Sequence, residues 1–216
     1  MTIPAAHREK SLYHFTHIDN AIQIINSNEI YAKYRLENYH DIAANEIQER
    51  RAAMQVPCGP RGTVHNYVPF YFCKRSPMLY AIKTRGTSEQ NIVYFEYPIT
   101  ILENENGVFT DSSANRCVPP VFYTDTTDLD NLDWDAIDTW RWGNQHDTDE
   151  NILPIRQRKM AEALIHHGIS LEYCTQIIVW GETQKNIITT ELNKNNINIP
   201  VLHTIHDVNS YYIDQR

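Results

Sequence analysis

No run in this 216-residue chain approaches the roughly 20 consecutive apolar residues that a membrane-spanning helix needs, so no transmembrane segment is expected. The opening MTIPAAHREK has no apolar stretch of the kind a secretory signal carries, and the expected location is the cytoplasm. The four cysteines, Cys58, Cys73, Cys117 and Cys174, form no C-x-x-C pair. That argues against a zinc ribbon and leaves no disulfide framework, so reduced and mostly buried thiols are expected. Internal repeats and low-complexity linkers are also missing, which excludes a solenoid. His166-His167 and His203-x-x-His206 offer imidazoles without an H-E-x-x-H run or acids at suitable spacing, and His14 and His17 lack an obvious third ligand. No metal is expected.

Positive charge is scarce as well. A formal net charge of -8 argues against a nucleic-acid binder until the charge is followed along the chain. Residues 33–85 hold nine Lys and Arg against four Asp and Glu, whereas residues 103–150 hold two against twelve. Either both runs are solvated faces, or the first half attracts phosphate.

Hydrophobic residues make up 42% and charged residues 21%, which fits a folded chain, and 216 residues fit one domain spanning 1–216. Residues 12–15 read as a strand. Thr16-x-x-Asp19 resembles a capping box for a helix whose Ile18, Ala21, Ile22 and Ile25 recur at helical spacing. Asn26 and Asn28 tolerate the left-handed conformation that ends it, and residues 30–34 return as a strand. Residues 45–54, NEIQERRAAM, predict a helix with acids early and arginines late. Two prolines and two glycines make 57–62 a loop, and 67–72, YVPFYF, a strand whose Pro69 predicts an edge position or a bulge.

Residues 92–97 and 176–180 are β-branched and aromatic enough to be strands, the first of them buried. Between them, 104–150 reads as a long loop with one helix near 134–142, carrying Trp134, Trp140 and Trp142. Residues 154–167 predict a helix with proline in its first turn, Gly168 just past its end, and Met160, Ala161, Leu164 and Ile165 as its apolar stripe. A helix within 182–194 and a strand at 199–202 complete the count. Strands interleaved with helices and with hairpin-like neighbours predict an α+β fold rather than a doubly wound sheet.

One run is too specific to be secondary-structure grammar: Val64 to Phe72, VHNYVPFYF, followed by Arg75-Ser76-Pro77-Met78-Leu79. With YHFTHIDNAIQII near the start, ERRA at 49–52, GPRGTVHNY at 59–67 and MAEALI at 160–165, it resembles the DarT family of DNA ADP-ribosyltransferases over most of the chain. The resemblance implies the split mixed β-sheet core of ADP-ribosyltransferases with surrounding helices. It also implies NAD as co-substrate, a base in single-stranded DNA as acceptor, and a toxin role in a toxin–antitoxin or phage-defence system. The implied partner is an antitoxin with ADP-ribosyl-hydrolase activity, of macrodomain type. Thymine and guanine are the acceptors known in the family, and thymine is favoured. The acidic stretch 125–138 falls where the family places its recognition loop and does not itself name the base.

The same resemblance maps the family's catalytic glutamate onto Glu162, expected on a helix, and its critical arginine onto Arg51, with Arg50 as the fallback. Breaking the bond from ribose to nicotinamide builds positive charge at the anomeric carbon, which a carboxylate stabilises while also accepting the proton from the target base. A guanidinium fork suits the pyrophosphate or the base. His14 is implied to hold the adenosine-side ribose, with Thr16 and Asn20 joining the NAD site and Tyr71 stacking on the nicotinamide. His65, Arg61, Lys74 and Arg75 are candidate contacts to DNA, in a basic groove that Lys83 extends.

Taken without the family, Glu162 is explained by a solvated ion pair with Arg158 one turn earlier, and its truncation is expected to leave folding nearly intact. His14, Thr16 and Asn20 are then strand and capping residues. Two functional alternatives stay open from sequence: an RNA-directed NAD-dependent transferase of the same superfamily, and a non-catalytic nucleic-acid or partner-binding module. The second has no physical need of a carboxylate that faces an anionic strand.

Overall fold

The structure, a computed structural model, describes residues 2–104, 107–114, 119–143, 153–203 and 210–212. Cys117, His206 and the acidic residues Asp147, Asp149 and Glu150 lie outside the described residues. In chain order the elements are β1 (Ser11–His17), α1 (Ile18–Ser27), β2 (Glu29–Tyr31), α2 (Asn45–Ala53), β3 (Tyr67–Tyr71), α3 (Pro77–Thr84) and β4 (Ile92–Pro98). There follow α4 (Ile101–Asn104), β5 (Gly107–Thr110), β6 (Phe122–Tyr123), α5 (Trp134–Asp138), α6 (Ile155–Arg158), β7 (Glu162–His166), β8 (Gly168–Ser170), β9 (Gln176–Val179), α7 (Glu182–Lys194) and β10 (Val201–His203). Among the described residues, no helix is long and apolar enough to cross a membrane.

Eight strands form a mixed sheet in the order β10-β9-β4-β1-β3-β7-β5-β6, and β2 pairs with β8 in a separate ribbon. Among the described residues, only β10 and β9 run parallel. This is the expected α+β arrangement. Leu12, Phe70, Phe95, Ile165 and Ile177 bury one face of the sheet, with α1 and α7 contributing Ile25, Ile188 and Leu192. Phe15, Tyr71, Tyr94 and Ile178 bury the other, beneath Leu79 and Ile82 of α3 and Tyr211. Fully burying each such side chain is worth about 1.5–3 kcal/mol, so α3 and α7 are held chiefly by their apolar faces.

The interior of the sheet is not closed evenly. β1 pairs with β4 through all seven of its residues, but with β3 only at Tyr13↔Tyr71. Pro69 explains the opening. β3 lies inside the sheet, not at an edge, one of the two positions its proline predicted, and the proline carbonyl is bonded by the His14 ring at 2.9 Å. In an extended residue N and C=O point to the same side, so the donor that proline lacks also faces β1. The ladder therefore parts where it would have been unsatisfied.

Three expectations need correction. α1 is capped by His17, whose Nδ1 accepts the Asp19 N–H at 3.3 Å, rather than by Thr16; its end at Asn28, with φ 56°, is as expected. Part of the 104–150 stretch is ordered as β5, β6, a 3-10 turn at Thr126–Asn131 and α5. The largest change is at 154–167, where helix stops at Arg158 and Glu162 opens β7, paired with β3 on one side and β5 on the other. Ala163, Leu164 and Ile165 are buried in succession on both faces. A strand inside a sheet accommodates that, and packing there overrides the helix-forming composition of MAEALI. Gly168 accordingly starts β8 and does not close a helix.

Candidate active site

A cavity of about 310 Å³ opens beside the parted β1–β3 seam, lined by His14, Thr16, Asn20, Arg51, His65 and Tyr71 among others. Six of the residues singled out from sequence thus converge on one space. Glu162, Arg61, Lys74 and Arg75 are not among the lining residues. The Arg61 carbonyl accepts from the Tyr67 hydroxyl at 2.8 Å, and the Lys74 amine lies 5.7 Å above the Tyr13 ring. Arg75 is held between the rings of Trp140, at 3.7 Å, and Tyr212, at 4.3 Å.

Glu162 has no exposed surface, and Arg51 separates it from the cavity. Arg51 Nη1 donates to Oε1 at 3.0 Å and to Oε2 at 2.8 Å. Burial opposes the arginine's charge, but the adjoining carboxylate outweighs it and raises the pKa, so the guanidinium is a cation at any working pH. The Ala114 N–H at 3.1 Å and the Ser113 hydroxyl at 3.4 Å also donate to Oε1. The ion pair with Arg158 expected from spacing does not form. Arg158 instead bonds Asp133 and, through Nε, the Leu153 carbonyl at 2.7 Å.

His14 meets a carbonyl oxygen, which accepts only, so its Nδ1 must carry the proton and Nε2 is left as an acceptor. Desolvation, partly offset by the Pro69 carbonyl, pushes its pKa down to about 4, so the ring is neutral at physiological pH. His65 is likewise pushed to about 4 by desolvation and then by Lys33 and Arg51, and its Nε2 lies 3.1 Å from Gln48 Oε1. Tyr71 sits opposite Glu162 in the β3–β7 ladder; burial and the carboxylate raise its pKa, so the phenol stays neutral. Its ring stacks on Phe15 at 5.4 Å.

Asn20 acts as a clamp. Its Nδ2 donates to Thr16 Oγ1 at 2.9 Å and to the His40 carbonyl at 2.8 Å, while its Oδ1 accepts the His40 N–H at 2.7 Å. That fixes the segment carrying Tyr39, His40 and Asp41, which also line the cavity. Asp41 in turn accepts from Lys33 at 2.8 Å and from Gln48 at 2.8 Å. Sequence reasoning missed His40, Asp41 and Gln48 and, behind Glu162, Thr110, Ser113 and Ala114. Only a Thr-x-Ser-Ser run after a strand could have drawn attention to the last group. The donor atoms of His17, Asp19 and His40 lie within 4.8 Å of one another, but the two imidazoles stack face to face at 3.9 Å, so their ring planes do not converge on a shared metal position.

Residues 13–212 match the family described as ssDNA thymidine ADP-ribosyltransferase, DarT. A DNA ADP-ribosyl transferase of Thermus aquaticus is 36% identical over 183 residues, covering 80% of this chain and 76% of that protein. The fold superposes on Thermus sp. 2.9 DarT in complex with ADP-ribosylated ssDNA, with TM-score 0.82, 28% identity and coverage of 94% of this chain and 96% of that one. For the same protein in complex with NAD+ the TM-score is 0.79 at 26% identity, with coverage of 94% and 97%.

Proposed function

The chain belongs to the DarT family of ssDNA thymidine ADP-ribosyltransferases, and from that premise we propose that it joins ADP-ribose from NAD⁺ to thymine in single-stranded DNA, with Glu162 and Arg51 at the reacting centre. It is an NAD-dependent DNA ADP-ribosyltransferase; the choice of base and the residue roles are the proposal. The observation that carries it is the buried Arg51–Glu162 pair, with Arg51 facing a cavity that also holds the neutral His14.

Nε2 of His14 accepts a hydroxyl of the adenosine-side ribose, because its Nδ1 proton is committed to Pro69. Arg51 leaves Glu162 for the pyrophosphate or the incoming base, a task its planar fork suits. The freed carboxylate of Glu162 faces the anomeric carbon as the bond to nicotinamide breaks, and stabilises the positive charge that develops there in a water-poor site. Nicotinamide departs with the bonding electrons. The base nitrogen forms the new bond to the anomeric carbon, and its proton passes to Glu162. Tyr71, neutral and opposite Glu162, supplies an apolar wall on the nicotinamide side. His65, Arg61, Lys74 and Arg75 are assigned to the DNA strand, outside the reacting centre.

We take residues 1–216 to act as one ADP-ribosyltransferase domain, supported by the sheet that draws on both ends of the chain. The sequence resemblance supports action as the toxin of a pair whose antitoxin removes ADP-ribose, of macrodomain type, and we take it to act in the cytoplasm. The deciding experiment incubates the protein and NAD⁺ with two single-stranded oligonucleotides, one with thymine and no guanine, the other the reverse, and reads intact mass. A gain of one ADP-ribose on the thymine strand alone supports the assignment. A gain on the guanine strand alone overturns the base, and no gain on either overturns the reaction.

A further inference from the structure

The carboxylate of Glu162 is held unevenly. Oε1 accepts from Arg51, Ser113 and Ala114, whereas Oε2, among the described residues, meets Arg51 alone. The extra donors come from the turn that follows β5. The β5–β7 ladder ends at Phe109↔Ala163, and one residue further on Thr110 replaces backbone with side chain. Its Oγ1 accepts the Glu162 N–H at 3.2 Å and lies 2.7 Å from the Ser112 carbonyl, to which it donates. That turns the chain so that the Ser113 hydroxyl and the Ala114 N–H face Oε1. Thr110, Ser113, Ala114 and Glu162 have no exposed surface, so water does not compete for these bonds.

The asymmetry matters when Arg51 leaves. A carboxylate held only by the arginine would then be free to turn about its last side-chain torsion, which is broad and roughly two-fold. One oxygen pinned by two donors of the frame keeps the other aimed. We infer that Ser113 is a positioning residue for the transfer reaction: with the Ala114 N–H it fastens Oε1 of Glu162, so that Oε2 is the oxygen that meets the reacting atoms once Arg51 turns to its ligand. The inference rests on the reading of Glu162 as the catalytic carboxylate. Ser113 acts through Glu162 and touches no substrate.

The test measures transfer onto a thymine-only single-stranded oligonucleotide by Ser113→Ala, Ser113→Thr and Glu162→Gln, with KM for NAD⁺ and thermal melting recorded for each. Losing one hydrogen bond to a charged group should lower kcat of Ser113→Ala about tenfold, with KM for NAD⁺ changed by less than about twofold. Melting should fall by no more than a few degrees, since the lost bond also belongs to the resting fold, and Ser113→Thr, which keeps the hydroxyl, should recover most of the rate. A parental kcat in Ser113→Ala, no recovery in a Ser113→Thr protein that melts like the parent, or a rate loss that lies in a raised KM would each overturn the role. Glu162→Gln separates the two layers. If it is inactive while Ser113→Ala turns over normally, only the positioning role fails; if it is fully active, the catalytic reading of Glu162 fails and takes the positioning role with it.

Discussion

Arg51 caps Glu162 from the cavity side across 111 residues of sequence, bonding both carboxylate oxygens at 3.0 and 2.8 Å with a single terminal nitrogen. The pair is a structural element before it is a chemical one. Two opposite charges are shut away from water together, and each is the other's main compensation.

Removing one partner therefore costs stability. Glu162→Ala strands the Arg51 guanidinium in a buried site and is expected to destabilise the fold by about 3–5 kcal/mol, the usual range for breaking a buried pair. Glu162→Gln, which keeps the shape and an acceptor oxygen, should cost less while still abolishing transfer. Chemical denaturation of both variants is the check. A Glu162→Ala protein as stable as the parent would mean that the pair carries no structural load, as a solvated Glu162 would have implied.

His14 links acidity to stability. Its folded pKa is depressed to about 4 from an ordinary 6.5, so the unfolded chain binds the extra proton more readily throughout that interval. The contribution of this group is fully present above about pH 6.5 and is lost as pH falls towards 4. His14→Asn, which preserves a donor for the Pro69 carbonyl but does not titrate, should flatten the decline in melting temperature across that window and raise KM for NAD⁺. An unchanged slope would show that other groups govern the acid limb.

Asn20 binds the cavity wall to α1 through two hydrogen bonds to the His40 backbone. At about 1 kcal/mol each, their loss in Asn20→Ala should raise KM for NAD⁺ on the order of tenfold, with a smaller effect on kcat at saturation. Amide exchange at residues 39–43 should speed up in the same variant. Unaltered exchange there would mean that the segment is held by the Asp41 contacts alone.

Several elements were legible because their ends carry local chemistry. α1 stops at an asparagine in the left-handed region, α2 has its acids and arginines at the matching ends, and β4 and β9 are short apolar runs bounded by polar residues. The stretch leading into Glu162 was misread because its composition favours helix and its burial is decided by β3 and β5, which lie far away in sequence. For the same reason spacing pointed to Arg158 as the partner of Glu162, although the true partner, Arg51, lies on α2. Glu162 and Arg51 were reached through family resemblance. Beyond a Thr-x-Ser-Ser run after a strand, Ser113 and Thr110 carried no local sign, since their meaning arises only where the β5 turn meets β7.

The identity of the cation at position 51 is the sharpest remaining discriminator. Arg51 meets both oxygens of Glu162 through one nitrogen, as a lysine could, but it then needs to grip a planar or anionic ligand, for which a lysine offers only a single charged nitrogen on a flexible stem. Arg51→Lys keeps a positive charge beside the buried carboxylate, so its folding penalty should be well below that of Glu162→Ala. Transfer should nonetheless fall by about a hundredfold or more, because the point charge orients neither pyrophosphate nor base. Rates at saturating NAD⁺, set beside the melting point, separate these effects. If Arg51→Lys transfers at the parental rate, Arg51 serves as a counter-charge for Glu162 and the fork has no part in the chemistry.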